Sequence, residues 1–188
     1  MNIPTSATVV ARSSLVSEVL RPTSASALTA LAGGIVILDR LTKYLVMSSM
    51  SPGDSVAVVP GFFSLTYVTN RGGAFGMFAD LGETWRLGFF VVVALVAVGL
   101  MGWMFLRTPP GEVLHRAGLA AVMGGALGNL YDRLAWGKVV DFFDVFVGSW
   151  HWPAFNVADS FITIGVAALL ISSFRAGSPN EIVDGTSK

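Results

Sequence analysis

Two aspartates, Asp141 and Asp159, lie beside apolar segments of membrane length and are the residues best suited to chemistry. A carboxylate is costly in or near hydrocarbon, so one at this depth indicates a functional site. Two carboxylates held close together cannot both ionise easily, so one keeps a proton while the other acts as a base. Such a pair can activate water and protonate a leaving amine, which is aspartic-protease chemistry. On these residues alone, a proton- or cation-coupled transporter and a non-catalytic scaffold remain open.

Polar residues accompany both aspartates. Asn156 precedes Asp159 by three positions, so the two share one face at the start of a helix, where a carboxylate gains from the helix dipole. Asn156 could equally be a simple helix cap. Asp144 lies three residues after Asp141, and spacing alone does not separate these two candidates.

Three more polar residues, Asn129, Asp132 and Arg133, end a glycine-rich apolar segment. Their spacing places them near one face of a helix end, where we expect them to orient the residues that follow. Gly124 and Gly128 in the same segment form a small-residue motif that predicts close helix packing.

Two further groups are weaker candidates. Asp39 and Lys43 are four residues apart on one helix face and predict an ion pair of structural value, although Lys43 could instead reach toward lipid headgroups or the loop. Asn70 is followed by Arg71 and by the glycines Gly72 and Gly73. These glycines permit close backbone approach to a bound peptide, and a flexible turn is the alternative.

Composition places the chain in a membrane. Of its 188 residues 53% are hydrophobic and 13% charged, and the mean hydropathy is +0.67, whereas soluble domains carry about 25% charged residues. The net charge of zero gives no sign of nucleic-acid binding. The absence of cysteine excludes thiol catalysis, and the two histidines lack metalloprotease spacing, so we expect neither a metal nor another cofactor.

Hydropathy predicts a mainly α membrane protein with four spans, at residues 27–47, 87–106, 114–131 and 157–174. Residues 54–80 are rich in β-branched and aromatic residues around Pro60-Gly61 and predict a small β lobe. The connection 132–155 is predicted as a loop or short helix at the membrane interface. Residues 1–26 and 176–188 read as tails outside a membrane domain of residues 27–175. Lys and Arg divide equally between the two sides, so they do not decide the orientation.

The polar motifs together resemble the bacterial lipoprotein signal peptidase family, signal peptidase II. The resemblance covers about residues 39–165, and its matching stretches are Asp39-Arg40-Leu41-Thr42-Lys43, Asn70-Arg71-Gly72-Gly73-Ala74-Phe75, Gly128-Asn129-Leu130-Tyr131-Asp132-Arg133, Val139-Val140-Asp141-Phe142 and Phe155-Asn156-Val157-Ala158-Asp159. Two positions depart from the family pattern: Arg40 stands where Gln is common and Gly73 where Ala is common, which puts the stiffness of the β lobe in doubt.

The resemblance implies an aspartic endopeptidase of the inner membrane with four transmembrane helices, a periplasmic β-sheet cradle and cytoplasmic termini. By it, Asp141 and Asp159 are catalytic, whereas the polar residues around them bind or orient substrate or support the site. The expected substrate is a diacylglyceryl-modified prolipoprotein cut N-terminal to its lipidated cysteine, the inhibitor is globomycin, and the enzyme is a monomer. Orienting roles fall to Asn70, Gly72, Asn129, Arg133 and Asn156, and supporting roles to Asp39, Lys43 and Asp132.

Overall fold

The computed structural model describes residues 24–72, 78 and 82–176. Nearly all of both predicted tails, together with Gly73, lies outside these ranges. The elements follow in the order α1 (Ala25–Ser49), β1 (Ser55–Val59), β2 (Phe63–Asn70), α2 (Glu83–Arg107), α3 (Val113–Trp136), β3 (Val139–Val147), β4 (Trp150–His151) and α4 (Val157–Ala176).

Three of the four helices are long and apolar enough to cross a membrane: Ala25–Ser49, Glu83–Arg107 and Val157–Arg175. The helix predicted as a further span also forms, as α3, but it is not among these three. Its many glycines, together with polar residues near both ends, lower its hydropathy. The mainly α prediction is therefore confirmed, and three of the predicted spans are supported by length and composition.

Helix α3 is the central element, since it packs against α1, α2 and α4. Its glycines allow the neighbouring backbones to approach closely, as the small-residue motif predicts. A Cβ placed on Gly125 would lie only 2.4 Å from the carbonyl oxygen of Ala158 in α4, and one on Gly124 would lie 2.8 Å from the carbonyl oxygen of Ala32 in α1. The first turn of α4 is thereby held directly against α3.

The four strands form one antiparallel sheet in the order β1-β2-β3-β4. The predicted β lobe is confirmed by the β1–β2 hairpin. The connection 132–155, predicted as a loop or short helix, is different: α3 continues to Trp136, and β3 and β4 follow. Gly137 ends α3 in the left-handed conformation at φ +67°, which favours glycine and lets the chain turn into β3. The prediction failed because β3 is stabilised by β2, a partner far away in sequence.

A small apolar cluster joins the sheet to the helices. Val46 of α1, Phe142 of β3 and Val157 of α4 are buried together, with Tyr67 of β2 packed against them. Asp141 and Asp159 lie next to this cluster in the chain, one residue before Phe142 and two after Val157. Packing of the cluster thus sets where the two carboxylate-bearing segments meet.

Candidate active site

Asp141 and Asp159 line the same cavity, which has a volume of about 620 Å³. Asp141 belongs to β3, where it pairs with Val68 of β2, and is only 3% exposed. Asp159 lies in the first turn of α4 and is partly buried. The structure therefore brings together the two aspartates that the sequence analysis singled out, although they arise from a strand and a helix. Their cavity is also lined by Asn70, Asn129, Arg133, Trp152, Phe155, Ile162, Thr163 and Ile164.

Asn156 connects the two carboxylates. Its Nδ2 donates to Oδ1 of Asp141 at 2.7 Å and contacts the carbonyl oxygen of Val140 at 3.2 Å. Its Oδ1 accepts from the backbone N–H of Asp159 at 3.0 Å, while its own backbone N–H donates to Oδ2 of Asp159 at 3.3 Å. Asn156 thus caps α4 and also contacts both aspartates, so its two predicted roles coincide.

Asn129 holds the other carboxylate from the end of α3. Its Nδ2 donates to Oδ1 of Asp159 at 2.7 Å. Its Oδ1 accepts from Nζ of Lys43 at 3.0 Å and from Nδ2 of Asn156 at 3.2 Å. Because the acceptor side of Asn129 is occupied by these two donors, its amide nitrogen is left facing Asp159.

Burial and the neighbouring Asp159 raise the pKa of Asp141 from its ordinary value of 3.8 to about 7. Hydrogen bonds from Asn156 and Asn70 act in the opposite direction, as does the charge of Lys43. Desolvation is the largest cause because it disfavours the charged carboxylate. A carboxyl group that titrates near neutral pH can either give or take a proton, as general acid–base catalysis requires.

Arg133 of α3 lines the cavity, whereas Gly72, two residues past the end of β2, is not among its lining residues. The guanidinium of Arg133 approaches the carbonyl oxygens of Gly72 at 3.5 Å and Asn129 at 3.4 Å, and it lies 4.6 Å from the ring centre of Phe90. The backbone N–H of Gly72 donates to Oδ1 of Asn70 at 2.9 Å. These contacts tie the end of β2 to α3, and Asn70 and Arg133 both face the cavity.

A buried ion network lies behind the site. Lys43, Asp39 and Asp132 are all fully buried, and Nζ of Lys43 lies 2.8 Å from Oδ2 of Asp39 and 2.9 Å from Oδ2 of Asp132. Lys43 does not reach toward lipid headgroups, because both its charge partners lie inside the protein. The predicted Asp39–Lys43 pair is confirmed.

The same network holds the backbone beside each aspartate. Asp39 accepts from the N–H of Ala158 at 2.9 Å, and Asp132 accepts from the N–H of Val140 at 3.2 Å. Ala158 and Val140 are the residues immediately before Asp159 and Asp141. Each supporting carboxylate therefore fixes one residue next to the site.

Arg40 is a member of this network that the sequence analysis did not place near the site. It forms an ion pair with Oδ1 of Asp132. The signal was present, since a charged residue within a membrane-length helix needs a partner. Arg40, which departs from the family pattern, forms this contact between α1 and α3 and does not affect the stiffness of the sheet.

Metal binding finds no support in the parts of the chain that the structure describes. Within residues 24–72, 78 and 82–176, no group of three His, Cys, Asp or Glu side chains is arranged to hold a metal ion. The polar side chains that line the cavity carry carboxyl, amide, guanidinium and hydroxyl groups.

Comparison with known proteins identifies the family. Residues 31–175 match the family model of signal peptidase (SPase) II. A lipoprotein signal peptidase of Syntrophotalea carbinolica is 45% identical over 143 residues, covering 76% of this chain and 88% of the relative, and one of Geobacter sulfurreducens is 45% identical over 142 residues with the same coverage.

A solved structure described as a bacterial membrane enzyme superposes with a TM-score of 0.74 at 30% identity, covering 84% of this chain and 95% of that one. A second structure with the same description gives a TM-score of 0.70 at 31% identity, covering 80% and 94%. The motifs, the fold and these likenesses agree: the chain is a protease of the signal peptidase II family.

Proposed function

We propose that this peptidase removes signal peptides from diacylglyceryl-modified prolipoproteins, cutting N-terminal to the lipidated cysteine with Asp141, Asp159 and an activated water. The observation that carries the proposal is the shared cavity of these two carboxylates. Related sequences are named lipoprotein signal peptidases, which supports the substrate class.

The mechanism begins with one carboxylate ionised and the other protonated. The ionised carboxylate takes a proton from water as the water oxygen attacks the scissile carbonyl carbon, and the protonated carboxyl group donates to the carbonyl oxygen. The tetrahedral gem-diol then collapses as the C–N bond breaks. The carboxylate that protonated the carbonyl oxygen takes back a hydroxyl proton, and the departing nitrogen takes the proton that the other carboxyl group received from water. One water is consumed, and the pair returns to its starting state with one carboxylate ionised and the other protonated.

The neighbouring side chains have two roles in this scheme. Asn156 and Asn129 hold the carboxylates at fixed orientations through hydrogen bonds of 2.7 Å each. Arg133 and Asn70 face the cavity and bind the peptide backbone or stabilise the developing negative charge on the carbonyl oxygen. Preorganised donors of this kind need no rearrangement during the reaction, which is why they lower the barrier.

The lipid part of the substrate fits the apolar wall that α4 contributes. Ile162 and Ile164 line the cavity, and Ile164 is also 60% exposed on the outer surface of the helix. A residue that belongs to both surfaces indicates a lateral opening through which acyl chains enter from the bilayer. Each buried methylene contributes about 0.8 kcal/mol, so lipidated precursors are selected over unlipidated ones.

The proposed placement is the inner membrane of a bacterium, with all four helices spanning it and the protein acting as a monomer. Both termini lie in the cytoplasm, so the sheet and the site lie at the periplasmic surface. Trp150 of β4 and Trp152, directly after β4, are exposed, which suits the membrane interface. Both aspartates lie at this end of the helices, whereas a transporter would need them along a path through the bilayer. Globomycin is expected to occupy the same cavity.

The test is cleavage of a diacylglyceryl-modified prolipoprotein by purified wild type, Asp141→Asn and Asp159→Asn. Each single change is expected to lower kcat by about 10²- to 10⁴-fold while globomycin binding persists. Asp144→Asn is the matched control, because Asp144 lies on the same strand but pairs with His151 at 2.9 Å outside the cavity.

Three results would count against the proposal. Near wild-type cleavage by both aspartate variants would show that the pair is not catalytic. A wild type that binds prolipoprotein and globomycin but never cleaves would favour a lipoprotein-binding chaperone. Equal cleavage of lipidated and unlipidated precursors would remove the proposed role of the acyl chains.

A further inference from the structure

Arg40 is held in a fixed position between α1 and α3. Its guanidinium lies 4.4 Å from the ring centre of Tyr131 and 4.6 Å from that of Trp136, and it pairs with Oδ1 of Asp132. The two rings contact each other edge to face at 6.1 Å. Its side chain is 23% exposed, so the charge is shielded from solvent on most sides.

Asp132 transmits this contact to β3. While Oδ1 pairs with Arg40, Oδ2 accepts from Lys43 at 2.9 Å and from the backbone N–H of Val140 at 3.2 Å. Val140 is 1% exposed and directly precedes Asp141. A continuous set of contacts therefore joins Arg40 to the backbone that carries Asp141, although Arg40 itself does not line the cavity.

The charges behind the cavity balance only when Arg40 is counted. Asp39 and Asp132 are two buried carboxylates, and Lys43 is a single cation shared between them. Arg40 supplies the second positive charge, so the network is neutral. Within the described residues, other charged groups near this region include Asp159 of α4, Arg133 of α3 and Glu83 of α2. Oε1 of Glu83 would lie 3.6 Å from a Cβ on Gly137.

We propose that Arg40 is a positioning residue: it orients the β3 backbone through Asp132, and it keeps the ion network behind the two aspartates neutral. The inference rests on the proposed catalytic function of Asp141 and Asp159. A glutamine, the residue common at this position in the family pattern, could donate to Asp132 but would leave Lys43 as the single cation for Asp39 and Asp132.

Removal of the Arg40 charge should shift the pKa of Asp141 in one direction only. In Arg40→Gln, one buried carboxylate of the network is left uncompensated, and a nearby negative charge disfavours the ionised form of Asp141. The pKa of Asp141 then rises further, so the pH–rate profile moves to higher pH. Misplacement of β3 lowers kcat by up to about 10²-fold, whereas KM changes little because Arg40 is outside the cavity.

The experiment compares pH profiles of kcat and KM for wild type, Arg40→Gln, Arg40→Lys and Arg107→Gln, with the melting temperature of each. Arg107 is the control, since it also lies over a tryptophan, Trp103 at 5.5 Å, but in the last turn of α2. We expect Arg40→Gln to move the profile upward by about half a pH unit or more, Arg40→Lys to restore it, and Arg107→Gln to match wild type.

An unchanged pH profile of kcat in Arg40→Gln would overturn the inference. The same holds if the profile is unchanged and kcat falls only in proportion to the loss of folded protein. Asp141→Asn in the same assay separates the two proposals. If Asp141→Asn cleaves normally, the proposed function fails. If Asp141→Asn is inactive and Arg40→Gln keeps the wild-type profile, only the role of Arg40 fails.

Discussion

Asn156 donates to Oδ1 of Asp141 at 2.7 Å while its own Oδ1 receives the backbone N–H of Asp159 at 3.0 Å. One amide side chain therefore determines both the orientation of the strand carboxylate and the start of the helix that carries the other. This contact is buried, and it brings the strand and the helix to a common point.

Replacing Asn156 with Ala should damage activity and stability together. Asp141 loses a hydrogen bond and α4 loses its cap, so we expect kcat to fall about 10- to 100-fold and the free energy of unfolding to fall by about 1–3 kcal/mol. Ser172→Ala is the control, because Ser172 lies near the other end of α4, where it forms a hydrogen bond with His115. Steady-state cleavage and thermal unfolding in detergent measure both effects. Wild-type kcat in Asn156→Ala would contradict the role assigned to Asn156.

Ionisation of Asp141 should lower the stability of the fold as the pH rises from about 4 to 7. Its folded pKa of about 7 lies above the unfolded value, so between about pH 4 and 7 the folded state holds a proton that the unfolded state has lost. Stability therefore falls as pH rises through this window, by at most about 1.4 kcal/mol per pH unit, and levels off above it. Asp141→Asn removes this slope.

The melting temperature of Asp141→Asn should consequently exceed that of wild type by an amount that grows from about pH 5 to pH 7 and changes little above that range. A constant difference between Asp141→Asn and wild type would contradict the raised pKa.

Lys43→Met should destabilise the fold strongly. It removes the cation that Asp39 and Asp132 share. Two buried carboxylates are left, and only Asp132 keeps a cation partner, Arg40. Breaking a buried ion pair by removing one partner costs about 3–5 kcal/mol. Arg175→Met, at an exposed position in the last turn of α4, is the control for loss of a cation. Equal melting temperatures for the two variants would argue against the network.

Gly125→Ala should separate α3 from α4. The added Cβ would lie 2.4 Å from the carbonyl oxygen of Ala158 and 2.7 Å from a side-chain carbon of Ile162, so α4 must move. We expect the free energy of unfolding to fall by about 1–3 kcal/mol. We also expect a lower kcat, because Asp159 directly follows Ala158.

Gly99→Ala is the matched control for Gly125→Ala, since Gly99 lies in α2 and nothing lies within 4 Å of its added Cβ. Helix propensity alone favours alanine by about 0.5–1 kcal/mol, so this variant should be as stable as wild type or more so. Thermal unfolding of both variants distinguishes close packing from propensity. A stable, active Gly125→Ala protein would contradict the close approach.

Local features of the molecule were readable from the sequence because they depend on short spacings. The apolar segments became helices, since a backbone in an apolar environment satisfies its hydrogen bonds internally. Asp39 and Lys43 meet because residues four apart share a helix face. Asn156 caps the helix that carries Asp159, because the two residues are only three positions apart.

Non-local features required the tertiary structure. Asp141 and Asp144 are three residues apart on β3, so their side chains lie on opposite faces of the sheet, and the β2–β3 register decides which one faces the cavity. Arg40 and Asp132 are 92 positions apart, and no spacing rule predicts their pairing.

The sequence by itself determined the chemical groups and the helices that carry most of them. The tertiary structure decided which carboxylate faces which, because strand register and the packing of α3 against its neighbours depend on contacts between distant segments.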